Sequence, residues 1–260
     1  MFPSSCLSGD KMPATVQTTQ FGELKSSVVD WSNGKTPRLL VVFSHGFGAP
    51  GTDLVPLAGE LQHVSPLIAE HVRFVFPQAP IDLAPLGMPG GRAWWPINMA
   101  QLATMHQTRD YRELTEVEPD GLRAASSQLS RAVQAMLDDA GLTNTQLFLG
   151  GFSQGAMVSA DVVLRTGLCP AQLILMSGTL ICRADWTRLA GEHPGCPVIQ
   201  THGTDDMVLP IEPSRWLRDM LSDNGFEVDY ATFSGPHTVP PTALQMTARA
   251  VINRLAESDV

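Results

Sequence analysis

Short apolar runs alternate along the chain with longer segments of helical periodicity. The runs are "PRLLVVFSHG" (37–46), "HVRFVFPQAP" (71–80), "NTQLFLGG" (144–151), "AQLILMSG" (171–178), "CPVIQTHG" (196–203) and "FEVDYATF" (226–233). Most lack polar alternation, which is the pattern of parallel strands covered on both faces. Near the start, "ATVQTTQ" (14–20) and "SSVVDW" (26–31) predict two strands joined by a turn at Phe21-Gly22.

Between these runs lie helical segments. Residues 118–141 are the clearest. Pro119 suits a first turn, Gly141 suits the position past the end, and Leu122, Ala125, Leu129, Val133 and Met136 recur on one face. Residues after Ser153 read as a helix to Gly167. Residues 212–225 and 242–256 give two more helices, with Trp216, Leu217, Met220 and Leu221 on one side of the former. Strand–helix alternation of this kind implies right-handed crossovers and an α/β fold, a three-layer α/β/α sandwich with a mostly parallel central sheet. Residues 98–118 fit less well. They are weakly helical and carry Met99, Met105, His106 and Tyr111. They are either a surface helix or a small cap insertion over a pocket.

Composition narrows the class. A chain of 260 residues with 43% hydrophobic and 17% charged residues buries a substantial core, and a single domain, 1–260, accounts for it. The net charge is −9 and Lys and Arg form no cluster, which argues against nucleic acid and against an anionic membrane surface as partners. No apolar run reaches the roughly 20 residues of a membrane span, so no stable membrane insertion is expected. Residues 1–13 read as a loose tail and not as a signal peptide. Cys6, Cys169, Cys182 and Cys196 have no metal-site spacing, and reduced thiols in a cytoplasmic protein are the expectation, with a Cys169–Cys182 bridge as the alternative.

The chemistry is carried by "LFLGGFSQGAMVSA" (147–160). A G-x-S-x-G directly after a strand and before a helix is the nucleophile elbow of the α/β-hydrolase fold. It places Ser153 at the end of the sheet, beside the free N–H groups of a helix N-terminus. A serine hydroxyl needs a histidine base, and the base needs a carboxylate, in the chain order Ser, acid, His. Of seven histidines, four precede the serine. His193 falls before a strand, and His202 ends one and serves the turn there. His237, in "FSGPHTVPP" between the last strand and the last helix, meets the requirement. For the acid, "THGTDDMVLP" (201–210) offers Asp205 and Asp206, and spacing does not choose between them. Oxyanion donors are expected from the backbone N–H of Gln154 and of Phe47, in the loop after "LLVVFSHG".

These segments, together with "GRAWWPI", "GGFSQGA", "HGTDDMVLP" and "GPHTV", resemble the bacterial carboxylesterase and acyl-protein thioesterase family, also called the phospholipase/carboxylesterase family. The resemblance covers roughly residues 38–257. It implies an α/β-hydrolase fold and a catalytic triad of Ser153, Asp206 and His237, which resolves the aspartate. It also implies no metal or organic cofactor. Met207, Pro236 and Pro96 stand where the family usually has proline, glycine and aspartate, which leaves substrate choice open. Trp94 and Trp95 are candidates for the substrate pocket, with core packing as the alternative. The expected activity is hydrolysis of a small-molecule acyl ester or thioester through an acyl-enzyme, by a monomer or homodimer. A hydrolase-fold receptor with little turnover and a lactone or peptide hydrolase are the alternatives.

Overall fold

The computed structural model describes residues 15–31 and 35–257, apart from the side chains of residues 15, 99, 101, 103 and 106. The expected N-terminal tail, Cys6 and the side chains of Met99 and His106 lie outside the described residues.

The chain opens with β1 (Thr15–Phe21) and β2 (Leu24–Asp30), then β3 (Leu39–Ser44). Two short helices follow, α1 (Pro56–Val64) and α2 (Pro66–His71), then β4 (Val72–Pro77). A small hairpin, β5 (Ile81–Asp82) with β6 (Arg92–Ala93), leads to α3 (Met99–Thr108) and α4 (Arg112–Glu116). The second half runs α5 (Leu122–Ala140), β7 (Leu147–Phe152), α6 (Gln154–Thr166), β8 (Gln172–Met176) and α7 (Arg183–Ala190). It closes with β9 (Pro197–Gly203), α8 (Ile211–Asp223), β10 (Glu227–Phe233) and α9 (Pro241–Glu257).

The main sheet has the order β1-β2-β4-β3-β7-β8-β9-β10. β1/β2 and β2/β4 are antiparallel, and every other pair is parallel. The alternating pleat of each central strand feeds two cores. Leu40 and Val42 of β3, Leu147 and Leu149 of β7, and Leu173 and Leu175 of β8 pack with α5, α6, α7 and α8. Val41 and Phe43, Phe148, and Ile174 and Met176 pack with α1, α2 and α9 on the other face. Three layers result, as the apolar runs imply.

Some boundaries differ from the sequence expectation. α5 begins at Leu122, and Pro119 lies before it; Gly121, at φ 91°, takes the N-cap position instead. Left-handed backbone there demands glycine, so the helix cannot extend back to the proline. Cys169, Cys182 and Cys196 are free thiols, so the Cys169–Cys182 bridge is not formed. Cys169 faces Cys196 instead, and burial and that neighbour push the Cys196 thiol up to about 12.

The catalytic end of the sheet follows from topology. From β3 the chain first builds β4 on one side, and β7 later pairs on the other. The crevice at the carboxyl ends of β3 and β7 is thus a topological switch point, where open parallel sheets bind ligands.

Candidate active site

Ser153 occupies the corner between β7 and α6 with φ 56° and ψ −120°, in the positive-φ half of backbone space that a residue with a side chain rarely adopts. The corner is held by its own N–H, which donates to Met176 O at 2.8 Å, and by Ser153 O, which accepts from Ala156 and Met157 N–H. The flanking glycines are sterically required. A Cβ on Gly151 or on Gly155 would collide with Ser44 O at the end of β3. The elbow is therefore backbone packed on backbone, and only hydrogen fits between. Ser153 itself is 8% exposed.

Asp206 follows β9 and His237 follows β10. His237 Nδ1 lies 2.6 Å from Asp206 Oδ2. The other carboxylate oxygen accepts from Val208 and Leu209 N–H, both at 2.8 Å. Burial pushes Asp206 upward, but its hydrogen bond and charge interaction with His237 and these two N–H groups outweigh that, and the carboxyl titrates below its ordinary value. An ionised carboxylate only accepts, so His237 Nδ1 carries the proton and the neutral ring keeps Nε2 as an acceptor. The His237 ring stacks on Phe152, next to Ser153 in sequence, with centroids 4.6 Å apart. Ser177 Oγ donates to Thr238 O and ties the same loop to the end of β8. Asp205, the competing carboxylate, is exposed and accepts from Thr204 and Ser234 hydroxyls instead.

The loop after β3 lies against the elbow: a Cβ on Gly46 would sit 3.2 Å from Ser153 Cβ. Among the described residues, no acceptor is present for the N–H of Phe47 or of Gln154.

A family model described as Phospholipase/Carboxylesterase matches residues 26–253. The chain belongs to the phospholipase/carboxylesterase family. It is similar to acyl-protein thioesterase 1 of Kluyveromyces lactis, 29% identical over 189 residues, covering 70% of this chain and 75% of that one. Acyl-protein thioesterase 1 of Saccharomyces cerevisiae is 26% identical over 236 residues, 84% of this chain and 94% of that one. Among solved structures, esterase PE8 superimposes with a TM-score of 0.68 at 25% identity, over 88% of this chain and 98% of that one. A carboxylesterase from Mesorhizobium loti gives 0.67 at 17% identity, over 92% and 98%, and shares the fold. The protein is thus an α/β-hydrolase that cleaves carboxylic esters or thioesters.

Within this phospholipase/carboxylesterase scaffold a cavity of about 410 Å³ adjoins the corner. Met157, one turn past Ser153, and Leu209, three residues past Asp206, line it together with Ile181. Leu102 and Met105 of α3 and Leu114 of α4 line it from residues 98–118. Its size is in the range of small-molecule sites. A wider, shallow cleft of about 860 Å³ opens at the amino ends of β8–β10, lined by Pro197, Glu227 and Cys169 among others, and none of Ser153, Asp206 and His237 lines it.

The two tryptophans part company. Trp95 lines the cavity; Trp94 does not. Trp94 is buried and donates its Nε1–H to His45 O at 2.9 Å, so the core alternative describes it.

Three features escaped the sequence reading. The Gln154 side chain accepts from Trp94 N–H and donates to Trp95 O, at 2.8 and 2.9 Å, so it fixes the strip that borders the cavity. His202 serves the turn, as expected, by donating from Nε2 to Leu209 O; it also lies 3.4 Å from Asp206 Oδ2. Finally, the foot of the 98–118 segment is fastened to α6. Glu118 pairs with Arg165 at 3.0 Å, and Arg165 pairs with the buried Asp161 at 2.7 Å. Asp161 in turn accepts from Trp186 Nε1. None of these long-range partners shares a sequence signal with the other.

Proposed function

We propose that Ser153 is the nucleophile, His237 its general base and Asp206 the orienting acid. The observation that carries this reading is the juxtaposition of the strained Ser153 corner with the His237–Asp206 pair, whose imidazole stacks beside the corner residue Phe152. Ser153 Oγ attacks the acyl carbonyl and passes its proton to His237 Nε2. Asp206 holds the imidazole in the required tautomer and stabilises the imidazolium. The N–H groups of Phe47 and Gln154 receive the negative charge that forms on the carbonyl oxygen, each contributing about 3 kcal/mol of barrier lowering. His237 then protonates the departing alcohol or thiol. Water, deprotonated by His237, releases the acid from the acyl-enzyme.

The cavity under residues 98–118 takes the acyl group, with Trp95 and Met157 among the residues that line it. Its apolar lining supports a hydrocarbon chain, and the acyl-protein thioesterase relatives support a thioester among the substrates. Three free thiols support a reducing, cytoplasmic setting.

The test combines a fluorophosphonate probe with rates on p-nitrophenyl esters from acetate to palmitate and on an acyl-thioester. The probe labels the parent at Ser153, and S153A neither labels nor turns over. Saturable ligand binding without a covalent adduct, or turnover by S153A near the parent rate, overturns the reading.

A further inference from the structure

Both proposed oxyanion donors belong to peptide groups, and a trans peptide points its C=O and N–H in opposite directions. Whatever grips the carbonyl therefore aims the N–H. For the Ser153–Gln154 peptide the grip is the helix itself, because Ser153 O accepts from Ala156 and Met157 N–H at 3.0 and 3.2 Å. The Gly46–Phe47 peptide lies in a loop and has no helix behind it.

Its carbonyl accepts a long turn bond from Ala49 N–H at 3.4 Å and a much shorter one from a side chain. His45 Nδ1 lies 2.8 Å from Gly46 O. The direction of that bond is fixed by the other ring nitrogen, since Ala79 N–H donates to His45 Nε2 at 3.1 Å. With Nε2 accepting, the neutral ring carries its proton on Nδ1 and donates to Gly46 O. The residue's own carbonyl is held in turn by the Trp94 indole N–H at 2.9 Å. Trp94 N–H bonds the Gln154 side chain at 2.8 Å, which links the two donor peptides through buried groups. His45 and Trp94 are each 1% exposed, so no water competes for these bonds.

We propose that His45 is a positioning residue of the oxyanion hole, in which its Nδ1–H orients the Gly46–Phe47 peptide so that Phe47 N–H faces the reacting carbonyl, with Trp94 as its brace. The proposal rests on the assignment of Ser153 and its donors above. Burial drives the His45 pKa down, so the ring stays neutral through the working range and the donor is constant.

The experiment exploits the two ring nitrogens separately. In H45N the amide N–H takes the place of Nδ1 and can still donate to Gly46 O. In H45Q the amide reaches the Nε2 position near Ala79 and leaves Gly46 O with only the long turn bond from Ala49 N–H, at 3.4 Å. The readouts are kcat and KM on a short p-nitrophenyl ester, and Ki for an alkyl trifluoromethyl ketone that forms a tetrahedral adduct. H45N should retain kcat within about tenfold of the parent. H45Q should lose at least a hundredfold in kcat with KM within threefold, and its Ki should rise by the same factor as kcat/KM falls. W94F, which deletes the brace N–H along with part of the buried ring, should lose about tenfold with the same parallel in Ki, and it decides the question if H45Q does not fold. H45Q and H45N of equal kcat, or losses in kcat with no loss of inhibitor affinity, overturn the proposal. A parent that the fluorophosphonate fails to label would instead overturn the assignment of Ser153.

Discussion

Asp206 meets His237 with one carboxylate oxygen, 2.6 Å from Nδ1, while its other oxygen is occupied by the Val208 and Leu209 N–H groups. The acid is thus held from behind by the turn that follows β9. Rotating it toward another partner breaks two hydrogen bonds at once.

That geometry predicts the outcome of D206N. The amide oxygen must stay with the Val208 and Leu209 donors, so the NH₂ faces His237. The imidazole is then forced to accept at Nδ1 and to carry its proton on Nε2, where it cannot take one from Ser153. We expect kcat to fall about ten-thousandfold while the fold is retained. Steady-state kinetics beside a circular dichroism melt checks this; a loss below tenfold would contradict the geometry.

The corner glycines and a distant helix glycine should respond oppositely to alanine. G155A drives a methyl into Ser44 O, and G151A does the same. Each should destabilise by about 3 kcal/mol or more, or prevent soluble expression. Gly59, inside α1, has open space where a Cβ would go. G59A should stabilise by about 0.5–1 kcal/mol, because alanine narrows the unfolded ensemble and favours the helix. Urea denaturation of the variants measures both signs.

How much of this was legible beforehand depends on the kind of signal. Ser153 was readable because the turn itself dictates glycine at fixed offsets, and His237 because the fold dictates chain order. Asp205 and Asp206 were not separable by spacing: they are neighbours in one turn, and which one faces inward depends on where Val208 and Leu209 put their N–H groups. Family resemblance chose Asp206, and the structure brings that residue to His237. Strands β5 and β6 are two residues each, too short for any periodicity. Gln154 was read for its backbone, and its side-chain bonds to residues some sixty positions earlier left no local trace.

The cavity under residues 98–118 makes a prediction about chain length. Leu114 lines it from α4, away from the serine corner. L114W should fill part of the space. We expect kcat/KM on p-nitrophenyl octanoate to fall about tenfold or more, and on acetate to stay within about twofold. Equal losses on both esters would place the acyl chain elsewhere.

Stability should fall toward acid for a reason readable in two buried imidazoles. Burial lowers the pKa of both His45 and His202 in the folded chain, against about 6.5 when unfolded. Below that value the unfolded chain binds more protons than the folded one. Stability is therefore fully present above about pH 6.5 and is lost as pH falls toward the folded values, by up to about 1.4 kcal/mol per pH unit for each ring. Denaturation at pH 7.5, 6.5 and 5.5 should show this slope in the parent and a shallower one in H202Q. Identical slopes would remove His202 from the account.

The contact between Ser44 and the two elbow glycines has a consequence for adaptation. The proposed nucleophile corner and the end of β3 are registered by main chain against main chain, so neither glycine there is free to be exchanged for a larger residue. Reactivity is fixed in a part of the molecule that tolerates almost no drift. The roof over the cavity is a separate stretch of sequence, attached to the body by ion pairs at its foot. Variation can therefore retune which acyl groups enter without disturbing how they are cleaved, and libraries aimed at new substrates belong in residues 98–118.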